Sequence, residues 1–295
     1  MRYRVLLRSY YRYSAPVQFA RHALRLLPHA TPVQSVRHDS LKTVPVPYRR
    51  SERSDFFGNR VVQLALERPH SRFAIEMNAE VDVASRGIPD TDRSPPWERI
   101  AAAAVESRDA GPLGPAHYLH PGPHTDADDD LVAFARSLLS PQRPILAAAF
   151  DIACTIRREM AYAPGTTAVD TTAAAAWRLR QGVCQDFSHL MLATLRAVGL
   201  PAAYVSGLLR TRPPPGEPRL EGADAMHAWV SVWAGEALGW VDIDPTNALL
   251  VDDDHIRIAV GREYADVAPI DGVIVVAGEQ QHGIAVDVVP LDEAA

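Results

Sequence analysis

The feature that most constrains this chain is the order in which strand-like and helix-like patterns follow one another along its 295 residues. Residues 1–83 consist of short runs in which polar and apolar positions alternate, and Pro or Gly separates the runs. Helical spacing dominates residues 130–199, and strand-like runs return after Pro201. Short strands with such separators favour a sandwich or barrel over a helical bundle in the first part. Separate runs of strands and of helices are typical of α+β proteins, so we predict that class.

Changes in composition indicate where the domains meet. Pro- and Gly-rich text such as residues 111–115 lies between the two patterned parts and is typical of loops. We therefore predict an N-terminal β domain over residues 1–95, a linker over 96–129, and a core with C-terminal strands over 130–295. The Pro-rich residues 212–218 are predicted to form a surface loop between two strands of that core.

Charge and cysteine content narrow the class of protein. Acidic residues number 36 against 30 basic ones, which argues against a nucleic-acid binder because phosphate contacts need surplus Lys and Arg. No run approaches the roughly 18 apolar residues of a membrane span, and no signal peptide is read at the N-terminus. Cys154 and Cys184 are too few for a disulfide framework. We expect a cytoplasmic setting, no membrane partner, and one cysteine acting as a nucleophile.

The individual elements are predicted from spacing and boundary residues. Helices are predicted over residues 130–139, 145–162, 170–180 and 184–199. Strands of the second part are predicted over residues 203–209, 227–233, 239–243, 272–277 and 283–289. Asp55 to Asn59 is predicted to form a turn, because Gly and Asn tolerate left-handed backbone. Cys154 lies among apolar residues of the second helix and is predicted to be a small core residue.

Cys184 opens its helical segment and is the stronger candidate nucleophile. It recurs with Phe187, Met191 and Leu195 at intervals of three and four residues, which places all four on one helix face. A first-turn cysteine lies beside backbone N–H groups without intrahelical partners, and the helix dipole adds about half a positive charge there. Both effects favour the thiolate, the nucleophilic form of cysteine. By position alone, a buried structural cysteine is the alternative.

Two polar residues on neighbouring strands complete a possible catalytic group. His227 opens an alternating run, where an imidazole can pair with a thiolate on a nearby helix terminus and later protonate a leaving amine. Asp244 ends the next run, where its carboxylate can accept the other ring N–H and fix the tautomer. Asp242 would face the same side and is the rival. We favour Asp244, because Pro245 ends the strand there and leaves the side chain at the rim. A satisfied structural histidine and an Asx turn are the alternative interpretations.

Three histidines between the two parts resemble metal ligands by type but not by context. His117, His120 and His124 lie in Pro- and Gly-rich text, with no predicted strand or helix to hold them. A metal site needs ligands on a defined scaffold with supporting contacts. We therefore predict no metal site.

Three motifs resemble the bacterial transglutaminase-like superfamily: GVCQDFSHL at 182–190, MHAWV at 226–230 and DPTN at 244–247. Residues 55–59 and 255–267 are similar to two further segments of one branch, the transglutaminase-like cysteine proteases with an N-terminal β domain. The resemblance covers nearly the whole chain. It implies a β-sandwich domain followed by a papain-like core, in which a helical subdomain with the nucleophile packs on an antiparallel sheet with the His and the Asp.

The resemblance also implies a function. By position, Cys184 is the nucleophile, His227 the acid and base, and Asp244 the orienting carboxylate, with no cofactor. We expect hydrolysis of a peptide, isopeptide or glutamine-like amide through a thioester, so the partner is a peptide or protein substrate. The calcium-site loops of crosslinking relatives have no counterpart here. Transfer to an amine and a non-catalytic binding module are the alternatives.

Further residues near the motifs have less defined roles. Asp186 is predicted either to tune the thiol or to satisfy first-turn amides, and His189 to make a buried hydrogen bond. Backbone N–H groups, including that of Cys184, are predicted to stabilise an oxyanion. Gln181 and Gln185 both lie nearby as possible side-chain donors. Trp229 is predicted to pack in the core rather than to clamp substrate.

Overall fold

A computed structural model describes residues 1–212, 222, 224–275 and 278–291. Its strands before the helical part are β1 (Arg2–Val17), β2 (Phe19–Leu24), β3 (Gln34–Val44), β4 (Arg49–Ser54), β5 (Arg60–Leu66) and β6 (His70–Val83). Its helices are α1 (Trp97–Glu106), α2 (Asp129–Ser137), α3 (Ile145–Glu159), α4 (Ala173–Leu179), α5 (Cys184–Arg196) and α6 (Tyr264–Val267). The remaining strands are β7 (Ala161–Tyr162), β8 (Gln181–Gly182), β9 (Ala202–Leu209), β10 (Ala225–Trp233), β11 (Trp240–Asp244), β12 (Leu249–Leu250), β13 (His255–Gly261), β14 (Ile270–Val275) and β15 (Gln280–Pro290).

The first part of the chain forms two packed antiparallel sheets. One sheet has the strand order β15-β1-β6-β3 and the other β14-β2-β5-β4. Alternate residues of β1 and β6 are buried, as a period of two requires. The ring of His22 from one sheet stacks on Phe73 of the other, with centroids 4.7 Å apart. The predicted β-sandwich and the α+β class are confirmed.

The C-terminal strands belong to this sandwich. We predicted them as part of the core at 130–295, but β14 pairs with β2, and β15 pairs with β1 from Tyr3 to Tyr13. The hydrophobic pattern reveals such strands but not their partners, because pairing between distant strands leaves no local signal. The sandwich is therefore built from both ends of the chain. The core lies between them in sequence.

The core consists of an antiparallel sheet covered by helices. Its strand order is β12-β11-β10-β9-β13. Helix α5 packs against β9 and β10 of this sheet and against the helices α2, α3 and α4. Every residue of α5 from Asp186 to Arg196 is buried, as expected for a helix surrounded by other elements. The first turn of α5 is thereby fixed relative to the sheet.

The predicted linker is part of the core. Residues 96–129 contain α1 and a short 3₁₀ helix over Pro115–Tyr118. Tyr118 is fully buried and its hydroxyl donates to the Pro112 carbonyl at 2.7 Å. The guanidinium of Arg196 donates to the Tyr118 carbonyl and to Thr125. The Pro and Gly residues correctly indicate irregular backbone in this segment. They give no sign of the hydrogen bonds from Arg196 on α5, because that residue is distant in sequence.

Three side chains of the sandwich cover the outer edge of β13. Gln34 accepts from the Arg257 amide at 2.9 Å and donates to the Arg257 carbonyl at 2.8 Å. Asn59, at the end of the predicted turn, exchanges the same pair of bonds with Val260. A ring nitrogen of His29 lies 3.1 Å from the Ile258 carbonyl. Because an uncovered edge strand exposes unpaired backbone groups, these contacts both protect the sheet and attach the sandwich to the core.

Most other predicted elements are confirmed. The turn lies between β4 and β5 with Gly58 at a positive φ of 84°, and the four predicted helices and the strands of the core sheet lie where expected within a few residues. Residues 213–218 of the predicted Pro-rich loop and 276–277 of a predicted strand lie outside the described residues. Within the described residues, no helix combines the length and apolar character needed to cross a membrane.

Candidate active site

The first turn of α5 is held by a capping carboxylate. Asp186 accepts a hydrogen bond from the Val183 amide and another from the Thr167 hydroxyl, both at 2.7 Å. A side chain at Gly182 would come within 2.6 Å of this carboxylate, so only Gly leaves room for the cap. Burial raises the pKa of Asp186, partly offset by these two donors. Asp186 thus satisfies the amide of Val183, the residue just before the first turn, and fixes the backbone around Cys184.

His227 and Asp244 come together where β10 and β11 lie side by side. The Nε2 atom of His227 lies 2.7 Å from Oδ2 of Asp244, and both residues are buried. Because Nε2 is used in this bond, Nδ1 is the nitrogen left for Cys184. Cys184 and His227 line the same cleft, and the Cys184 side chain is one of the groups that raise the pKa of the His227 ring. The structure therefore brings the three predicted residues into one group.

Opposite effects act on the proton affinities of this group. Burial alone would lower the pKa of His227, but its hydrogen bonds to Asp244 and Cys184 outweigh burial and raise the pKa to about 10. Burial would raise the pKa of Asp244, but hydrogen bonds from His227, His255 and Asn247 hold it well below its usual range. An ionised carboxylate beside a protonated imidazole follows from both directions.

Asp244 also forms the Asx turn that was its alternative interpretation. Its Oδ1 accepts from the amides of Thr246 and Asn247, at 2.9 and 3.1 Å. Its Oδ2 accepts from the Asn247 side chain at 2.7 Å, in addition to His227. The backbone amides of the turn bind Oδ1, and the imidazole of His227 binds Oδ2. Asp244 can therefore form the Asx turn and orient His227 at the same time. The turn fixes the carboxylate that orients the ring.

The carboxylate of Asp242, the alternative to Asp244, binds other residues of the sheet. Asp242 accepts from Trp229 Nε1 at 3.0 Å and from Ser231 Oγ at 2.5 Å. The guanidinium of Arg257 donates to both of its oxygens, at 2.7 and 2.5 Å. Burial acts to raise the pKa of Asp242, but Arg257 and the other donors lower it. Asp242 is therefore a structural carboxylate that ties three strands of the sheet together.

His255 is a member of the group that sequence reasoning missed. Its Nε2 lies 3.2 Å from Oδ2 of Asp244, and its ring meets Trp229 edge-on with centroids 5.1 Å apart. Its Nδ1 is buried without a partner, so Nε2 carries the hydrogen that Asp244 accepts. In the sequence, His255 is part of the segment 255–267 that resembles the family, with no role predicted for it. The sequence signal was the position of His255 at the start of a strand, as for His227.

The same group contains the metal-like cluster found among the described residues. One nitrogen from each of His227 and His255 and an oxygen of Asp244 lie within 4.8 Å of one another. Each of these atoms is already used in the hydrogen bonds around Asp244. We therefore interpret the cluster as a hydrogen-bond network. The predicted loop histidines have other contacts: His124 pairs with Glu263, and His117 lies 3.3 Å from the Ala110 carbonyl.

The other predicted residues support the site from different sides. Gln185 donates to the Val169 carbonyl at 2.9 Å and so holds a neighbouring loop. His189 accepts from the Tyr264 amide at 3.2 Å, and burial lowers the pKa of its ring to about 3. Trp229 is buried, and a side chain at Gly207 would clash with its ring, which fits the predicted packing role.

A cleft of about 270 Å³ opens beside Cys184 and His227. Core residues line one part of it, among them Gln185 and Tyr204. Tyr11 of β1 and other residues of the sandwich line another part. A concave site lined by a thiol and an imidazole at a domain boundary is the usual setting of an active site. The arrangement is chemically suited to attack by sulfur on an acyl group.

Comparison with known proteins agrees with this architecture. The family model described as the bacterial transglutaminase-like N-terminal region matches residues 3–82, and that of the transglutaminase-like superfamily matches residues 132–245. An uncharacterised protein of Mycobacterium tuberculosis is 36% identical over 298 residues, covering 99% of this chain and 93% of that protein. The chain belongs to the transglutaminase-like superfamily.

Two further proteins are similar to this transglutaminase-like chain, one in fold over its whole length and one in sequence over a short segment. The crystal structure of a protein from Cytophaga hutchinsonii, provisionally assigned as a cysteine protease, has a TM-score of 0.74 at 21% identity and covers 100% of this chain and 93% of its own. That likeness supports the predicted papain-like fold. A protein-glutamine gamma-glutamyltransferase of Pseudomonas aeruginosa is 36% identical over 87 residues, or 29% of this chain and 12% of that protein.

Proposed function

We propose that this chain hydrolyses an amide through a thioester on Cys184, the amide being a peptide bond, an isopeptide bond or a glutamine-like side chain. The observation that carries the proposal is the position of His227, which hydrogen-bonds to Asp244 through Nε2 and lines the same cleft as Cys184. Such an imidazole can both hold a thiolate partner and deliver a proton to a leaving amine.

The first half of the reaction forms the acyl-enzyme. The sulfur of Cys184 attacks the amide carbon, and the carbonyl oxygen becomes an oxyanion. The backbone N–H of Cys184, in the first turn of α5, is available to stabilise this charge. Protonated His227 then donates its proton to the nitrogen, the C–N bond breaks, and the amine leaves.

The second half releases the product. Neutral His227 accepts a proton from water as the water oxygen attacks the thioester carbon, and the C–S bond breaks to release the carboxylic acid and restore the Cys184 thiolate beside protonated His227. Asp244 keeps the ring oriented and stabilises its protonated form in both halves. It acts through His227 and is a positioning residue.

Amine transfer is the second candidate. The segment similar to the Pseudomonas aeruginosa protein-glutamine gamma-glutamyltransferase favours it, because in that reaction an amine takes the place of water. The two reactions share the first half and differ only in the acceptor.

Mass spectrometry of peptide mixtures incubated with the full chain tests the proposal. We expect hydrolysed products with and without an added small amine, and none from Cys184→Ala. The matched control is Cys154→Ala, which removes the other thiol of the chain and should keep activity. Amine-bearing products would support the second candidate. Undiminished products from Cys184→Ala would end the enzyme interpretation.

A further inference from the structure

The cleft wall opposite the core comes from the β-sandwich. Tyr11 of β1 and His282 of β15 are direct cross-strand partners, and their rings stack with centroids 4.4 Å apart. Ile284, two residues along β15, lies on the same face and keeps 43% of its surface exposed. All three line the same cleft as Cys184 and His227.

This wall is held in place by its own contacts. Tyr11 packs on Tyr13 and Phe73 with ring centroids 6.3 and 6.2 Å away. Ser9 Oγ lies 3.0 Å from Nε2 of His282. Cross-strand aromatic pairs of this kind stabilise a sheet and restrict ring motion. The wall is therefore a preformed surface.

The cleft lining is mostly aromatic and aliphatic. Tyr264 and Ile270 also belong to it, and the described residues that line it include no Asp, Glu, Lys or Arg. Burial lowers the pKa of His282, so its ring adds no positive charge at neutral pH. A charged side chain entering this space would lose hydration, and protonated His227, the one cation among the described residues of the lining, is already paired with Asp244.

The size of the cleft limits what it can hold. Its volume of about 270 Å³ lies just below the ~300–1,000 Å³ of typical small-molecule pockets. Such a space takes one large side chain rather than an extended peptide. The thiol and the imidazole at its edge place that side chain next to the reacting carbonyl.

We propose that this space is a specificity subsite for an uncharged aromatic or large aliphatic side chain beside the reacting amide, and that Tyr11, His282 and Ile284 form its wall. The inference rests on the proposed thiol chemistry of Cys184. It assigns the sandwich a direct part in substrate selection, in addition to its attachment to β13.

Alkylating reagents with different side chains test the subsite without a known substrate. The probes are N-acetyl-aminoacyl chloromethyl ketones carrying the side chain of Phe, Leu, Lys or Asp. The sulfur of Cys184 forms a bond to the reagent's methylene carbon as the C–Cl bond breaks and chloride leaves. Rates are divided by the rate with iodoacetamide, which is too small to need the subsite. We expect the Phe and Leu reagents to react about tenfold faster than the Lys and Asp reagents.

Two variants with matched controls locate the preference. Tyr11→Ala should remove most of the Phe preference when each rate is divided by that variant's own iodoacetamide rate. Tyr10→Ala removes an identical ring from the neighbouring position, which is 52% exposed and does not line the cleft, and should change neither rate. Ile284→Asp should raise the Lys reagent's rate relative to that of Phe, and Val273→Asp, on an exposed position outside the cleft, should not. Ile284→Asp also serves if Tyr11→Ala fails to fold.

The outcomes separate the two proposals. If iodoacetamide does not prefer Cys184 over Cys154, the thiol chemistry and the subsite both fail. If Cys184 is reactive but the four chloromethyl ketones react at equal relative rates, the subsite is wrong and the thiol chemistry stands. If a Phe preference survives both Tyr11→Ala and Ile284→Asp, the sandwich does not form the wall.

Discussion

Asp242 and Asp244 lie two residues apart on β11 with their side chains on the same face of the sheet, yet their partners differ in kind. Asp242 keeps 18% of its side chain exposed and binds the guanidinium of Arg257. Asp244 is fully buried and binds two imidazoles, those of His227 and His255. A guanidinium keeps its proton at any accessible pH, whereas an imidazole can both donate and accept a proton.

One strand thus carries a carboxylate that stabilises the sheet, Asp242, and a carboxylate that orients the proposed catalytic histidine, Asp244. The carboxylate in the middle of the strand has a permanent cation and joins β10, β11 and β13. The carboxylate at the end of the strand holds the ring of His227, which lines the cleft and passes protons in the proposed reaction. The following predictions test whether activity belongs to the second carboxylate alone.

Removing the sulfur should have the largest effect. Cys184→Ala should reduce turnover by about a thousandfold or more, because both halves of the reaction pass through this atom. Stability should change by less than about 1 kcal/mol, since one partly exposed sulfur contributes little packing. Activity assays and thermal unfolding of the variant, beside Cys154→Ala, measure both effects. A large loss of stability would leave the activity loss without a chemical explanation.

The two carboxylates should differ sharply when each becomes an amide. Asp244→Asn should lower kcat/KM by about 10²- to 10⁴-fold, because the ring of His227 loses the charge that orients it. Asp242→Asn should lower stability by about 2 kcal/mol, since Arg257 is left without a countercharge, and kcat/KM of the folded fraction by less than about tenfold. Steady-state kinetics and urea unfolding compare the pair. Equal losses of activity in both variants would contradict the separation.

Local pattern predicted most helices and strands, and the family resemblance predicted the papain-like core and three residues of the site. The motif around Cys184, His227 and Asp244 lies at element ends that spacing and turn residues identify. His255 and the pairing of β15 with β1 depend on contacts between residues far apart in sequence, which no local pattern encodes. The helical character of residues 97–106 was hidden by the Pro-rich text on both sides.

The pH profile of activity should distinguish Asp244 from Asp242. The raised pKa of His227, about 10, means that the ring carries the proton needed by the leaving amine up to high pH. Asp244 favours the protonated ring, so Asp244→Asn should move the basic limb of kcat to lower pH by one unit or more. Asp242→Asn should leave that limb in place. A limb that does not move in Asp244→Asn would contradict the role of the carboxylate.

The free energy of unfolding should depend on pH through His227. A histidine in the unfolded chain has a pKa near 6.5, so the folded state binds the His227 proton more tightly. Its contribution is therefore fully present below about pH 6.5 and is lost as the pH rises through about 10. Thermal unfolding from pH 6 to 10 measures this decline, and His227→Ala should show a smaller one.

The smallest effect is expected at His255, which acts on Asp244 and does not contact the cleft. His255→Leu should lower kcat by about tenfold and move the basic limb slightly downward, because Asp244 loses one donor. His255→Gln can still donate a hydrogen bond to Asp244, so its kcat and its basic limb should lie close to those of the unchanged chain. A merely structural role would change stability in both variants and leave the limb unmoved.

The most direct test of the central claim is the rate of iodoacetamide alkylation at the two cysteines of the full chain at pH 6, read by peptide mass spectrometry. An ordinary thiol is almost entirely protonated there, and burial raises the pKa of Cys154 further. If the sulfur of Cys184 is paired with the ring of His227, it should react at least about a hundredfold faster than Cys154, and His227→Ala should remove most of that difference. Equal, slow labelling of both cysteines, or an advantage of Cys184 that persists in His227→Ala, would contradict the pairing on which the account depends.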